Sequence, residues 1–322
     1  MELKEIKSNI YACMQEDKGF GWNNSGFVNL GGGLIIDTLY DLNHTRKMIE
    51  LYSKIAQKPI KRLINTHHNG DHTWGNQLLI DNTEIIGHKL CAEEMEKEKI
   101  RNLPGFLQTT INKPKRFPEG MRYFIDQISE FDFSEVNITL PNNIIEDDLE
   151  LDLDGFPCQI IYVGPAHTPG DLIVNLPEQK VLFAGDIVFW KCTPLGWIGT
   201  YEKWIEALEL IKSLKPEVII PGHGPLCNFD AVDTLIGYFN SVYTQSKKFF
   251  DDGLDMMEAS KRINLGEYKD WTGPERLIFN VNRAYREFQG IGPWDKPINE
   301  IELISKGYEL RSYWDENKNL LL

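Results

Sequence analysis

An α+β fold of two stacked sheets flanked by helices on both faces is what this 322-residue sequence predicts. Short strand-like segments come in two blocks, each block is followed by helical periodicity, and polar loops fall where strands end. The pattern by itself does not separate this arrangement from an open α/β sheet.

In the first block, Asn24-Ser25-Gly26 supplies a turn, Phe27 and Val28 an extended pair, and Gly31-Gly32-Gly33 a second turn before Leu34–Thr38. The triple glycine lacks a following Gly-Lys-Ser/Thr and opens a strand, so it reads as a turn and not as a phosphate cradle. Residues 43–58 carry helical spacing, with Met48, Ile49, Tyr52, Ile55 and Ala56 on one face and Pro59 as the stop. Arg62–Thr66 and Glu84–Ile86 read as strands, and His88 to about Arg101 as a charged helix. Pro104, Pro114 and Pro118 predict an irregular stretch, and Phe124, Ile128 and Phe131 a helix facing the sheet.

The second block is expected at 136–140, 150–153, 159–163, 172–176 and 181–184. A helix from Tyr201 to about Leu214 follows, with Tyr201, Trp204, Ile205, Leu208 and Ile211 recurring at three and four. Val218–Ile220 is one more strand, ending at Pro221-Gly222-His223-Gly224. Helices are expected at about 229–249, 274–288 and 297–306, giving a catalytic unit over 1–228 and a helical extension over 229–322 packed on it or capping it.

Bulk properties narrow the function. A net charge of -14 disfavours general affinity for nucleic acid or an anionic membrane, and the one basic run is Lys113-Pro114-Lys115-Arg116. Apolar runs break within about 8 residues against the roughly 20 needed to span a bilayer. The N-terminal residues scatter charges where a secretory leader needs an apolar run. Five scattered cysteines form no C-x-x-C pair, which points to neither a disulfide framework nor a thiolate zinc site. A reducing cytoplasm is the expected compartment, and the expected partner is a small-molecule substrate, with a homodimer left open.

The chemistry sits in the histidines. Of seven, five stand at strand-to-loop boundaries: His67, His68, His72, His167 and His223. Thr66-His67-His68-Asn69-Gly70-Asp71-His72 packs imidazoles and a carboxylate into one strand end, a ligand mixture suited to zinc, iron or manganese. Strand parity sends His67 and Asn69 to one side and His68 to the other. His167 lies in a Gly- and Pro-bounded loop, Asp186 ends the strand Phe183-Ala184-Gly185-Asp186, and His223 ends another. Glycines beside them permit close backbone approach.

These residues resemble the metallo-β-lactamase superfamily, whose pattern is His-x-His-x-Asp-His followed by a distant His, an Asp and a final His. Here the run is His67, Asn69, Asp71 and His72, followed by His167, Asp186 and His223. Asp37, in a Gly-x-x-x-Ile-Asp-Thr strand, and the segment Gly164–Asp171 resemble the family too, over roughly residues 20–227. The resemblance implies a four-layer αβ/βα sandwich with metals at one edge between the sheets. It implies His67, Asn69 and His167 as one metal site, Asp71, His72 and His223 as a second, and Asp186 bridging them. One or two zinc ions are expected, with iron or manganese as alternatives.

Asn69 departs from the family by replacing a histidine, and a neutral amide oxygen is the weaker donor. It either weakens the first site or hydrogen-bonds the water there. The implied activity is hydrolysis of a small-molecule ester, thioester, lactone or amide, with Asp71 orienting the nucleophile; a non-hydrolytic metal-binding protein is the alternative. Asp37 and Thr168 are candidates to support the ligands. Phe189, Trp190, Lys191, Pro194 and Trp197 are expected to rim the site, with Trp271, Tyr285, Phe288 and Trp294 capping it or forming a dimer surface.

Overall fold

The computed structural model describes residues 1–56 and 58–317. The first sheet takes seven strands in chain order: β1 (Glu2–Lys7), β2 (Ile10–Met14), β3 (Ser25–Val28), β4 (Leu34–Ile36), β5 (Arg62–Ile64), β6 (Glu84–His88) and β7 (Asn143–Ile145). Neighbours from β1 to β4 are antiparallel, and from β4 to β7 parallel. The second sheet holds β8 (Leu149–Leu153), β9 (Phe156–Tyr162), β10 (Leu172–Leu176), β11 (Val181–Phe189) and β12 (Val218–His223), in the order β12-β11-β10-β9-β8. Only β11 and β12 run parallel there, because α6 (Tyr201–Leu214) crosses between them.

Strand alternation builds the layers. Leu34 and Ile36 face the second sheet while Ile35 faces outward; Ile64 and Leu63, and Ile86 and Ile85, divide in the same way. The inward residues meet Cys158, Ile160, Val174, Phe183 and Ile220 in one apolar layer between the sheets. The outward ones pack under α1 (Leu42–Ser53) through Met48 and Tyr52. Asp41 caps that helix, its side chain accepting from His44 N. Outside the second sheet, Leu182, Ala184 and Ile219 share a cluster with Trp204 and Leu208 of α6, Leu235 and Phe239 of α7 (Phe229–Asp251), and Phe279 and Val281 of the later α9 (Leu277–Phe288). The α+β sandwich with helices on both faces and a helical C-terminal part is therefore the observed fold.

Between β5 and β6 lies a single turn, α2 (Gly70–Thr73), and between β6 and β7 come α3 (Lys89–Arg101), α4 (Leu103–Asn112) and α5 (Glu119–Ile128). The stretch after Pro104 is thus not irregular. Pro104 stands at the first turn of α4, where its missing N–H would have no helical partner anyway. Val136–Leu140, expected to open the second block, forms no strand; Asn143–Ile145 just after it pairs with β6 in the first sheet, and Ile138 packs with Trp74 and Phe133. The chain closes with α8 (Met256–Arg262), α9 and α10 (Glu300–Glu316), and α10 packs across α5, α8 and α9. Among the described residues no helix is long and apolar enough to cross a membrane.

Candidate metal centre

The polar residues converge at one edge of the inter-sheet layer, where β5, β11 and β12 end. His67 follows β5, Asp71 and His72 sit on α2, His167 on the β9–β10 loop, Asp186 within β11 and His223 at the end of β12. Two groups have ligand-capable atoms within 4.8 Å of one another: His67, His72 and Asp186; and Asp71, His72 and His223. Asp186 lies centrally, with its Oδ1 3.2 Å from His72 Nε2 and its Oδ2 3.4 Å from both His167 Nε2 and His223 Nε2. Asp71 Oδ2 stands 3.3 Å from His223 Nε2.

The outer ring nitrogens are held elsewhere. Asp37, buried and at φ 60°, accepts from the backbone N and hydroxyl of Thr66 and pairs with His72 Nδ1 at 2.8 Å. Thr66 Oγ1 contacts His67 Nδ1 at 3.0 Å, the Leu195 carbonyl takes His167 Nδ1 at 2.9 Å, and the Trp22 carbonyl takes His223 Nδ1 at 3.2 Å. These partners turn the Nε2 atoms inward, as in metal sites whose ligands are oriented from behind. Thr168 does not take part; with the Ala166 and Thr168 amides it donates to Asp171 and pins its own loop. Of the partners, sequence reasoning singled out only Asp37 for this role, because carbonyls carry no sequence signal.

Three inward atoms, His67 Nε2, His72 Nε2 and Asp186 Oδ1, are buried without a hydrogen-bond partner. His72 Nε2 and Asp186 Oδ1 approach to 3.2 Å without the alignment of a hydrogen bond, which is how two groups stand when both face a third. Buried polar atoms are rarely left so. Burial also holds His67 and His167 below the ordinary imidazole range, in the neutral form that donates a lone pair. Burial works against protonating His72 too, but Asp186, Asp37 and Asp71 outweigh it and raise its pKa. The donor set therefore fits a divalent cation. Gly222 is required here, since a Cβ at that position would collide with Asp186 Oδ1.

Asn69 meets His167, its side-chain oxygen 2.8 Å from Nε2. A neutral His167 that donates Nδ1–H to Leu195 has only a lone pair on Nε2. The Asn69 amide must then turn its NH2 toward that nitrogen, the other orientation of a group whose O and N exchange by a flip. His68 joins neither group; it points to a neighbouring wall, its Nε2 3.9 Å from Glu98 Oε1. The two remaining histidines are structural: His44 pairs with Asp41 at 2.7 Å, and His88 stacks on Tyr162.

The edge opens into a cavity of about 470 Å³, lined by Asn69, Asp71, His167, Asp186 and His223. Its apolar lining comes from Phe20, Leu103, Phe106, Leu107, Met121 and Phe124 and, from later in the chain, Trp197, Ile198, Trp294, Ile301 and Ile304, and charged side chains of Glu94, Lys97, Arg101, Lys296 and Glu300 share it. Of the aromatics expected at the rim, Phe189 and Trp197 line the cavity, as does Trp294 of those expected to cap it or form a dimer surface. Trp190 packs against Trp271, with Lys191 over its ring, and Tyr285 and Phe288 pack on Phe250. The cavity also contains Glu98, missed in the sequence because helix α3 carries several glutamates alike. Burial pushes its carboxyl up to about 8.

Fold and site together place the chain in the metallo-beta-lactamase superfamily, to which it belongs: that family's description matches residues 19–90 and 100–223. It is 20% identical over 260 residues to a linear primary-alkylsulfatase of Pseudomonas sp. (strain ATCC 19151), covering 73% of this chain and 48% of that one. It is 25% identical over 232 residues to a type 2 metallo-beta-lactamase of Pseudomonas aeruginosa, covering 69% of this chain and 78% of the relative. A solved structure of the stereoselective inverting sec-alkylsulfatase from Pseudomonas sp. superposes with a TM-score of 0.70 at 17% identity, covering 93% of this chain and 52% of that one. The chain spans about half the length of the alkylsulfatases it matches.

Proposed function

We propose that the chain is a metal-dependent hydrolase acting on a small molecule with an apolar body, through an ester, thioester, lactone or amide bond. The observation that carries this reading is the convergence of His67, His72, Asp71, His167, Asp186 and His223 at one edge between the sheets, where Asp71, His167, Asp186 and His223 line a cavity with an apolar wall and three atoms of the cluster are buried and unpartnered. Zinc is the ion we assign: His67, His72 and Asp186 would hold it in one group and Asp71, His72 and His223 in the other, with His167 and Asn69 available to the first once the hydrogen bond between them opens. When bound, such an ion supplies Lewis acidity and lowers the pKa of water to about 7.

The chain's own groups do the rest. Asp71, partly exposed to the cavity and 3.3 Å from His223 Nε2, orients the attacking water and accepts its proton at Oδ2. Asp37 and the Leu195 and Trp22 carbonyls keep the imidazoles in register. Phe106, Leu107, Met121 and Phe124 exclude water from the substrate's apolar part, and the C-terminal helical part caps it through Trp294, Ile301 and Ile304.

The test is metal content by mass spectrometry on protein purified without added metal, followed by turnover of activated carboxylic esters, thioesters, lactones, amides and alkyl sulfates. One or two ions per chain are expected, with turnover abolished by chelator and restored by zinc. A chain that binds the ion but turns over none of these bonds is a metal-binding protein and not a hydrolase. Turnover confined to alkyl sulfates would replace the carbonyl substrates by the bond class named for the Pseudomonas relative.

A further inference from the structure

Two arginines are almost fully buried, Arg276 at 2% exposure and Arg283 at 1%. Arg283 is satisfied: it donates to Glu287 and to the carbonyls of Ile198 and Ile291. Arg276 is not. Its Nε is buried without a hydrogen-bond partner, and among the described residues no carboxylate stands within 4.0 Å of its guanidinium. Its one close side-chain partner is the Phe20 ring, 4.7 Å beneath it. Asp17, whose charge acts together with that of Arg276 on Cys192, accepts from the Gly19 amide through Oδ1, and its Oδ2 is likewise buried and unpartnered, more than 4.0 Å from the guanidinium. Arg276 and Phe20 both line the cavity that contains Asp71, Asp186 and His223.

A guanidinium cannot shed its proton at any ordinary pH, so burial without a carboxylate in contact is a standing cost. A planar fork of N–H donors beside an apolar wall is the arrangement that oxyanions relieve. Of the other cations lining the cavity, Lys97 pairs with Glu94 and Arg101 faces Glu300, while Lys296 stands ahead of α10 and, unlike Arg276, is exposed to solvent. Glu98 opposes an anion little, because burial favours its protonated form.

We propose that Arg276 is the specificity-determining residue of the cavity and receives a singly charged oxyanion, a carboxylate or sulfo group, on an otherwise apolar substrate. The inference rests on the hydrolase reading only for calling that molecule a substrate; the binding itself is independent of turnover.

The test uses the full-length, zinc-loaded protein and three probes of one chain length: hexanoate, hexane-1-sulfonate and 1-hexanol. Affinity is read by calorimetry for the parent, Arg276→Gln and Arg276→Lys. A hydrogen-bonded charge pair of this kind is worth roughly a tenfold to hundredfold preference for the anions over the alcohol. Arg276→Gln should cut that preference roughly tenfold or more, leaving only what the metal contributes, with 1-hexanol still bound, which reports an intact cavity. Arg276→Lys, which keeps a cation and is the variant to rely on if the glutamine form does not fold, should keep a reduced preference. Equal affinity for anion and alcohol in the parent, or a preference that Arg276→Gln leaves undiminished, overturns the proposal. So does a lysine variant with the parent's full preference for both anions. An anion preference that depends on Arg276 in a protein that cleaves no ester, amide or sulfate would retain the subsite and remove the hydrolase reading.

Discussion

The space between the two sheets and its metal edge are built from the same strands, yet they obey opposite rules. In the body, Ile36, Ile64, Ile86, Val174, Phe183 and Ile220 interdigitate with no polar atom among their side chains. A few residues further along β5, β11 and β12 the side chains become His67, Asp186 and His223, and polar atoms are left buried and unpartnered. The first region stabilises the fold by removing apolar surface from water. The second concentrates donors whose mutual contacts are poor without a cation. Substitutions should therefore separate the two: edge variants should lose metal while the fold persists, and core variants should lose stability while the folded fraction keeps its metal.

The largest effect is expected at Asp186, which neighbours His67, His72, His167 and His223. Asp186→Asn removes the central negative charge and should lower metal affinity and turnover by more than the roughly 10- to 100-fold typical of losing a supporting residue. Metal content by mass spectrometry and a thermal melt of the chelated protein check it. A full metal complement in the variant would break the proposed ligand set.

Phe183→Ala is the matching test of the core. The ring is 2% exposed and packs against Gly26, where a Cβ would collide with it. Truncation should cost about 3–5 kcal/mol of stability. Denaturant unfolding would show this, and the metal bound per folded chain should match the parent's.

Asp37→Asn lies on the boundary. It keeps the shape of the group that binds Thr66 and His72 but removes its charge. Metal affinity should fall roughly 10- to 100-fold, the scale for a residue behind a ligand. Competition with a chromophoric chelator measures it. An unchanged affinity would mean that hydrogen bonding without charge suffices to orient His72.

What the sequence made legible follows the same division. Short apolar runs marked β4, β5, β10 and β11, and neighbouring glycines marked the places of Asp186 and His223, because both signals are local, although β11 runs on past Asp186 to Phe189 and does not end there. The cavity wall was not legible. Leu103 and Phe106 come from a helix obscured by Pro104, and Met121 and Ile301 meet only after α10 packs across α5. Val136–Leu140 has strand composition, but it is Asn143–Ile145 that pairs with β6, a tertiary choice that no window of sequence contains. Nor does a sequence show that, of two arginines seven residues apart, Arg283 finds Glu287 and Arg276 finds no carboxylate.

The smallest effect concerns a group that belongs to neither region. Glu98 lines the cavity with an oxygen buried and unpartnered, and the Trp74 indole lies beside it without closing a hydrogen bond of ordinary geometry. Burial raises its pKa to about 8, whereas the unfolded chain ionises near 4.3, so between those values the folded state holds a proton that the unfolded state has released. Its contribution to stability is thus complete below about pH 4 and declines as pH rises toward 8. Glu98→Gln removes that dependence, and should stabilise the protein by on the order of 1 kcal/mol at pH 7, with less gain at pH 5 and more at pH 8. Thermal melts of both proteins at the three pH values measure the difference. A gap that stays constant with pH would show that Glu98 is already ionised in the folded protein, and that the cavity is more polar beside α3 than its apolar wall implies.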